Sequence, residues 1–570
     1  MNGLTRFFFW GIVGLNCLLA ESVLAQVPPV QVPPPFPAEP PPFPGEVRPT
    51  PPPGSVLPPP PPPPPQKGAP LPLSAFVREI RISGSTVFTP EQLAQVTAPY
   101  TNRKLTSEDL EALRVALTKF YIDHGYVTSG AIIPDQAVTE GVIRLQVIEG
   151  RLGHIEVEGN YWFRPKYLEE RIALGAGPPV NINALQERLL LLQETPGITR
   201  LNAELRPGVA RGQSVLNVKV AEANPIKAWL EFNNYLSPSV GAERGLVTVQ
   251  DQNLTGHGDL MSVQYGKSSG VDPQLTARYI LPVTPRNTTV MVEYRKNNFE
   301  VVEEPFQSLN IRSESEILGF TLRHPLYKSL SQEFALALTG EYLTNKLFLL
   351  GEPTDLFTPG SRGGRSTVSA LRFSQEWVHR SPVEVFAAFS RFSIGLDVLG
   401  ASGKDTTVPD SADSRFVSWL AQAQWARRFD PWRLQLIAHL DVQLANAHLF
   451  PLEQFAVGGR YSVRGYRENT LVRDNAEIAG LEARYAVWRS AAGEDVVQAA
   501  AFADFGRGTN TNAATAAPDT LGSLGLGIIW NMFRGSRFEI YWGIPLNHIK
   551  TADGNLQDHG VHLQLVVEVL

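Results

Sequence analysis

From residue 227 to the last residue, apolar and polar positions alternate with a period of two, the pattern of strands whose two faces meet different surroundings. Trp432, Leu434, Leu436, Ala438, Leu440, Val442 and Leu444 occupy one face of a run, with Arg433, Gln435, His439, Asp441 and Gln443 on the other. Phe334, Leu336, Leu338 and Tyr342 oppose Glu333, Thr339 and Glu341 in the same way. The last run sets Val561, Leu563, Leu565, Val567 and Val569 against His562, Gln564 and Glu568, and so carries the pattern to the end of the chain. There are about sixteen such runs, each near the roughly 9–11 residues that a tilted strand needs to cross a bilayer. A soluble antiparallel sandwich would alternate too. The absence of any helical domain from 227 onward favours a transmembrane barrel over 225–570, and the N-terminus adds to that reading.

Upstream, the period changes to that of two repeated α+β units, 75–150 and 151–224. The first opens with alternation at residues 76–82. Thr89-Pro90-Glu91 then combines a capping residue with proline at the first helical position. A longer helix starts at Ser107, with Leu110, Leu113, Leu117, Phe120 and Tyr121 at three- and four-residue spacing, and stops at Gly125. Strands are expected at 127–133 and 142–147. The second unit repeats the order, with strand 154–157, helices 165–174 and 182–193, and strands 199–205 and 214–220. Each unit reads β-α-α-β-β.

Residues 1–25 read as a secretory signal. Arg6 precedes the apolar run that starts at Phe7-Phe8-Phe9-Trp10, and the segment ends in Val23-Leu24-Ala25, with cleavage expected after Ala25. The apolar run falls short of the about 20 residues that span a bilayer as a helix. Cys17, the one cysteine, lies inside the signal, so the mature chain is expected to hold neither an intrachain disulfide nor a thiolate metal site. Residues 26–74 are dominated by proline, unbroken from 58 to 65. Proline lacks an N–H and fixes φ, so this stretch is expected to be a polyproline II spacer, about 25 Å long over 58–65 at about 3.1 Å per residue.

Charge narrows the partners. Lysine and arginine total 50 against 56 acidic residues, a net charge of −6. There is no basic excess to neutralise phosphates, which argues against nucleic acid. The histidines are scattered, with no His-Glu-x-x-His cluster, and there is no glycine loop of the Walker kind. Gly522, Gly525 and Gly527 lie in a strand-like stretch, where close strand packing is the simpler reading. We therefore expect no metal, no cofactor and no enzyme activity, and no nucleotide as energy source.

Several motifs carry a resemblance. Tyr121-Ile122-Asp123-His124-Gly125-Tyr126-Val127, with Gln136 after Pro134-Asp135 and Glu149-Gly150 after Val147-Ile148, resembles the first POTRA domain (polypeptide-transport-associated) of two-partner secretion transporters, the haemolysin secretion/activation family. Asn253-Leu254-Thr255-Gly256-His257-Gly258-Asp259 resembles a turn early in their barrel. Val463-Arg464-Gly465-Tyr466 is similar to their loop signature, and Phe502-Ala503-Asp504-Phe505-Gly506 to their F-x-D-x-G strand motif. The resemblance covers about 75–570. It implies an outer-membrane barrel of sixteen strands with POTRA domains in the periplasm, and transport of one large unfolded partner protein, of adhesin or haemolysin class, to the cell surface. It also implies contact with outer-membrane lipid and with the barrel assembly machinery. Insertion of other barrels is the alternative, although such a factor would be expected to carry more POTRA units.

Between Ala445 and Arg473 lies a long connection with Gly458, Gly459 and Gly465, where a chain can fold back. The resemblance implies that this loop enters the lumen and that Arg464 reaches Asp504. A guanidinium can grip a carboxylate through two parallel hydrogen bonds, which fixes direction as well as charge. Two departures stand out. The chain ends in Leu570 rather than an aromatic residue, and proline-rich sequence occupies the place where relatives carry a pore-plugging helix, so no such helix is expected.

Overall fold

The computed structural model describes residues 74–570 apart from 137, 139, 408–410, 534 and 550–553. The signal peptide, the proline-rich spacer and the absence of a plugging helix all fall outside the described residues.

The first unit is a three-stranded sheet backed by two helices. Glu79–Ser83 runs parallel to the central Val142–Ile148, and Gly130–Ile132 pairs antiparallel on its other side. Both helices start as their sequence dictates. Thr89 accepts the Gln92 N–H while the Gln92 side chain accepts the Thr89 N–H at 2.9 Å, a reciprocal cap on Pro90–Thr97. Thr106 and Asp109 repeat it on Ser107–Asp123. Leu113, Leu117 and Tyr121 then face Ile143, Leu145 and Val147 across the core. Two expectations need correction. The strand foreseen at 127–133 shrinks to Gly130–Ile132, because Tyr126 N–H bonds back to Tyr121 O and Ser129 N–H to Tyr126 O, which closes a turn. The strand foreseen at 76–82 breaks at Arg78, and its first part, Ala75–Val77, pairs instead with an unforeseen strand, Arg103–Leu105.

The second unit repeats this plan, with Arg151–Glu158 parallel to Gln213–Glu222 and Ile198–Pro207 antiparallel to it. Helices Pro165–Ala173 and Ile182–Gln193 close an apolar core of Leu168, Ile172, Leu185, Leu189, Leu216 and Val218. Helix Pro165–Ala173 also meets the barrel. Arg164 N–H donates to Gly256 O and its Nε to Thr255 O, both at 3.0 Å, and Arg171 Nη2 donates to Thr284 O at 3.2 Å.

After Pro225 sixteen antiparallel strands close on themselves, from Ile226–Asn233 to Val561–Glu568. No helix among the described residues is long and apolar enough to cross a membrane. Closure removes sheet edges, so the backbone of each wall strand pairs with a neighbour on both sides, as lipid surroundings require. The faces separate as the alternation foretold: Leu318, Phe320 and Leu322 point outward while Ser313, Ser315 and Thr321 point in. Strand length is less uniform than expected, from 8 residues in Ile226–Asn233 to 18 in Gln332–Leu349. Trp432 lies not in a strand but in the turn before Leu434–Ala445. With Trp377, Trp488 and Trp530 it forms an exposed ring at the end nearest the α+β units, the level at which such rings meet lipid headgroups. The first and last strands share five residue pairs, against sixteen between Arg312–Lys328 and Gln332–Leu349.

Candidate functional site

The connection after Leu434–Ala445 leaves from the end far from the α+β units and folds back into the lumen. Its base is fixed by the Asp474 carboxylate, which accepts the backbone N–H of Leu449 (2.9 Å) and of Thr511 (2.8 Å) and the Gln454 amide (2.9 Å). Phe455–Val457 and Leu471–Arg473 pair as a short ribbon. Between them Gly458 and Gly459, with φ of 108° and 105°, turn the chain in a conformation that side chains disfavour.

At the turned end, Arg464 is buried and held from three directions. Its Nε and Nη2 donate to the two Asp504 oxygens at 2.8 Å each, and its backbone N–H to the same carboxylate at 3.1 Å. Nη1 donates to Glu482. The guanidinium carbon sits 3.7 Å from the Phe502 ring centroid, so that ring covers the ion pair. Glu482 also accepts from Arg484 Nε and from the Tyr541 hydroxyl, at 2.5 and 3.0 Å. Period two explains the placing: Glu482 and Asp504 both occupy inward registers of Asn475–Arg489 and Asp495–Thr509.

The neighbours of Arg464 seat the loop by shape. Val463 is buried with Val457, Leu471 and Ile478. A Cβ on Gly506 would come within 2.4 Å of Val457 and 2.7 Å of Val463, so the strand can carry no side chain there while the loop is seated. Gly465, at φ 93°, lies with its backbone against Gly543; a Cβ there would be 2.8 Å from the Gly543 carbonyl carbon. The Tyr466 hydroxyl donates to Gly522 O at 2.9 Å and accepts the Asn547 N–H at 3.1 Å. Beyond it, Arg467 pairs with Asp558 and with Glu303.

The other six residues singled out from the sequence lie in the first α+β unit and hold its fold. Glu149 accepts the N–H and the hydroxyl of Thr86 (2.7 and 2.5 Å) and the Tyr121 hydroxyl (3.2 Å), which ties the strand end to the helix. Burial pushes that hydroxyl up to about 12. Tyr126 stacks edge-on near Tyr121 and Phe88. Gly125 ends the helix at φ 90°. Gln136 bonds both backbone groups of Arg144, and Gly150 N–H donates to Ser129 Oγ. These residues do not converge with the lumenal loop.

Sequence reasoning missed Glu482, and it missed further ion pairs of the loop, among them Arg460 with Glu539 at 2.9 Å, Arg467 with Asp558 and Glu303, and Glu453 with Arg372 at 2.7 Å. The usable signal was a charge at an inward register of a membrane strand, since a lumen-facing charge needs a partner. Among the described residues no group of histidine, cysteine and carboxylates is placed to hold a metal.

Comparison with known proteins places this architecture. Residues 212–529 match the family model of the haemolysin secretion/activation protein ShlB/FhaC/HecB, and residues 75–150 match the POTRA domain, ShlB-type. The outer membrane transporter CdiB of Dickeya dadantii is 24% identical over 402 residues, 69% of either chain. The structure of CdiB from Escherichia coli superposes with a TM-score of 0.66 at 22% identity, over 89% of this chain and 92% of that one. That of BamA from Haemophilus ducreyi, lacking POTRA domains 1–3, gives 0.53 at 13% identity, over 87% of this chain and 99% of that one. The two structures show the fold alone, whereas the family model spans more than half the chain. The chain therefore belongs to the ShlB/FhaC/HecB haemolysin secretion/activation family, and is an outer-membrane protein transporter of the two-partner secretion type.

Proposed function

We propose that POTRA domains at 75–150 and 151–224 receive one unfolded exoprotein in the periplasm and pass it through the barrel at 225–570, whose conduit the loop at 446–474 occupies at rest. The observation that carries this reading is the seating of that loop: its anchors are mostly ion pairs and close glycine contacts. Such anchors can be exchanged for other polar contacts without exposing a large apolar face. The POTRA sheets offer edges to which an extended segment can add as a strand. The driving force is folding outside, where burial of apolar surface makes return unfavourable. No catalytic step, cofactor or nucleotide takes part. The cargo is of adhesin or haemolysin class. The outward face meets outer-membrane lipid, and the barrel assembly machinery inserts the barrel.

Deleting the gene tests this. The large exoprotein encoded in its neighbourhood should leave the culture medium and accumulate in the periplasm, with other outer-membrane barrels at normal abundance. A general loss of barrels would favour the insertion activity and overturn the transport reading.

A further inference from the structure

A ladder of alternating charges crosses the lumen wall. Arg278 Nε donates to Glu293 at 2.6 Å, and Glu293 lies 3.0 Å from Arg295. Arg295 Nη2 donates to Glu341 at 2.8 Å, and Arg372 Nε to the other Glu341 oxygen at 2.5 Å. The free edge of the Arg372 fork, Nη1 and Nη2, then grips both oxygens of Glu453 at 3.0 and 2.7 Å. Every rung but the last belongs to a wall strand; Glu453 belongs to the loop. Arg372, Glu341 and Glu453 are all buried, with side chains no more than 10% exposed.

Arg391 stands beside this end of the ladder. In the pairing of Arg365–Arg380 with Glu384–Leu396, Arg372 lies opposite Ser393 and donates to its hydroxyl at 2.9 Å, while Arg391 is the next inward residue along the same strand. Its Nε is buried without a hydrogen bond, and it forms no ion pair among the described residues. The wall therefore presents two neighbouring guanidinium groups to a single removable carboxylate. This is the geometry of a built carboxylate site, since a planar fork with unmet donors takes such a group in two parallel bonds.

We propose that Arg372 and Arg391 form a carboxylate-binding station on the conduit wall, occupied at rest by Glu453 of the loop and offered to acidic side chains of the extended cargo when the loop withdraws. The proposal rests on the transport reading above and names the chemistry that the wall shows to the chain in transit. Glu453 then acts as a stand-in for cargo: an acidic segment entering the lumen competes for Arg372, and each exchange loosens the near arm of the loop. The Arg464 anchor, on strands at 475–489 and 495–509, is separate and stays closed while this exchange occurs.

The test uses the purified full barrel with its POTRA units and fluorescent decapeptides of glutamate, glutamine and lysine. Glu453→Gln should bind the glutamate peptide about tenfold more tightly than the unaltered protein, by fluorescence anisotropy, and should shift the reversal potential in planar bilayers toward anions. Adding Arg391→Gln, which removes no ion pair and so leaves the wall intact, should abolish both effects. Equal binding of glutamate and glutamine peptides, an unchanged reversal potential in Glu453→Gln, or persistence of both effects after Arg391→Gln would each overturn the station. The transport reading is judged apart from these readouts, by exoprotein in the medium.

Discussion

The two halves of this chain bury opposite chemistry. The second α+β unit closes around Leu168, Ile172, Leu185, Leu189, Leu216 and Val218, while the barrel interior buries Glu341, Arg372, Glu482, Arg464 and Asp504 and turns leucine, phenylalanine and tryptophan outward. Water surrounds the first and lipid the second, so the apolar face changes side. The consequence concerns what each interior does. In the α+β units the buried side chains supply the cohesion. The barrel wall is held by its backbone ladder, which leaves its inward side chains free to hold, and to release, a loop.

That contrast predicts where substitutions act. The largest effect is expected at Arg464 and Asp504. Arg464→Ala strands the buried Asp504 carboxylate and should weaken loop seating by about 3–5 kcal/mol, and Asp504→Ala, which leaves Arg464 only Glu482, should weaken it less; both should cut secretion while a heat-modifiable barrel still reaches the membrane. Arg464→Lys should restore only part, because a point charge cannot reproduce the fork. A double-mutant cycle on secretion yield decides the coupling: losses that simply add would break the barrel half of the contrast. Next, Leu168→Ala should cost the second α+β unit about 3 kcal/mol, read as faster proteolysis of that unit in the full chain with the barrel still protected. A barrel that became protease-sensitive along with it would show that the two halves do not hold themselves separately. Tyr121→Phe removes one buried hydroxyl from Glu149 and Ser85, and should cost about 1 kcal/mol by urea unfolding of the first α+β unit. Smallest of all, deleting residues 58–65 should leave folded barrel in the membrane unchanged, because a proline run has no apolar face with which to pack; lost barrel would refute the spacer.

Much of the fold was legible because both of its periods are strong. Thr89, Thr106 and Asn181 mark helix starts without ambiguity, and the alternation at residues 434–444 appears unaltered as an outward Leu440 and Leu444 against an inward Asp441 and Gln443. The break at Arg78 was not legible, since it depends on the Gly141 carbonyl, which accepts the N–H groups of both Arg78 and Glu79 from far along the chain. In the lumen, the partner of Arg464 was named through resemblance. Period two could place Glu341, Arg372, Glu482 and Glu539 on the inward face, but it says nothing about which loop residue crosses to meet them. Contacts across a lumen join residues with no register in common, and a single sequence carries no trace of that distance.

The close approach of Gly465 to Gly543, itself in contact with Gly560, also makes the seat of the loop a composite. The two glycines that cradle the loop lie in the last hairpin of the chain, and Asp558, which holds Arg467, lies there too. The Asp504 and Glu482 contacts of Arg464 lie on earlier strands, so the seat draws on both parts of the wall and is complete only when the final strands are in place. Truncation within that last hairpin would leave Arg464 its carboxylates but take from the loop its glycine cradle and the Asp558 contact.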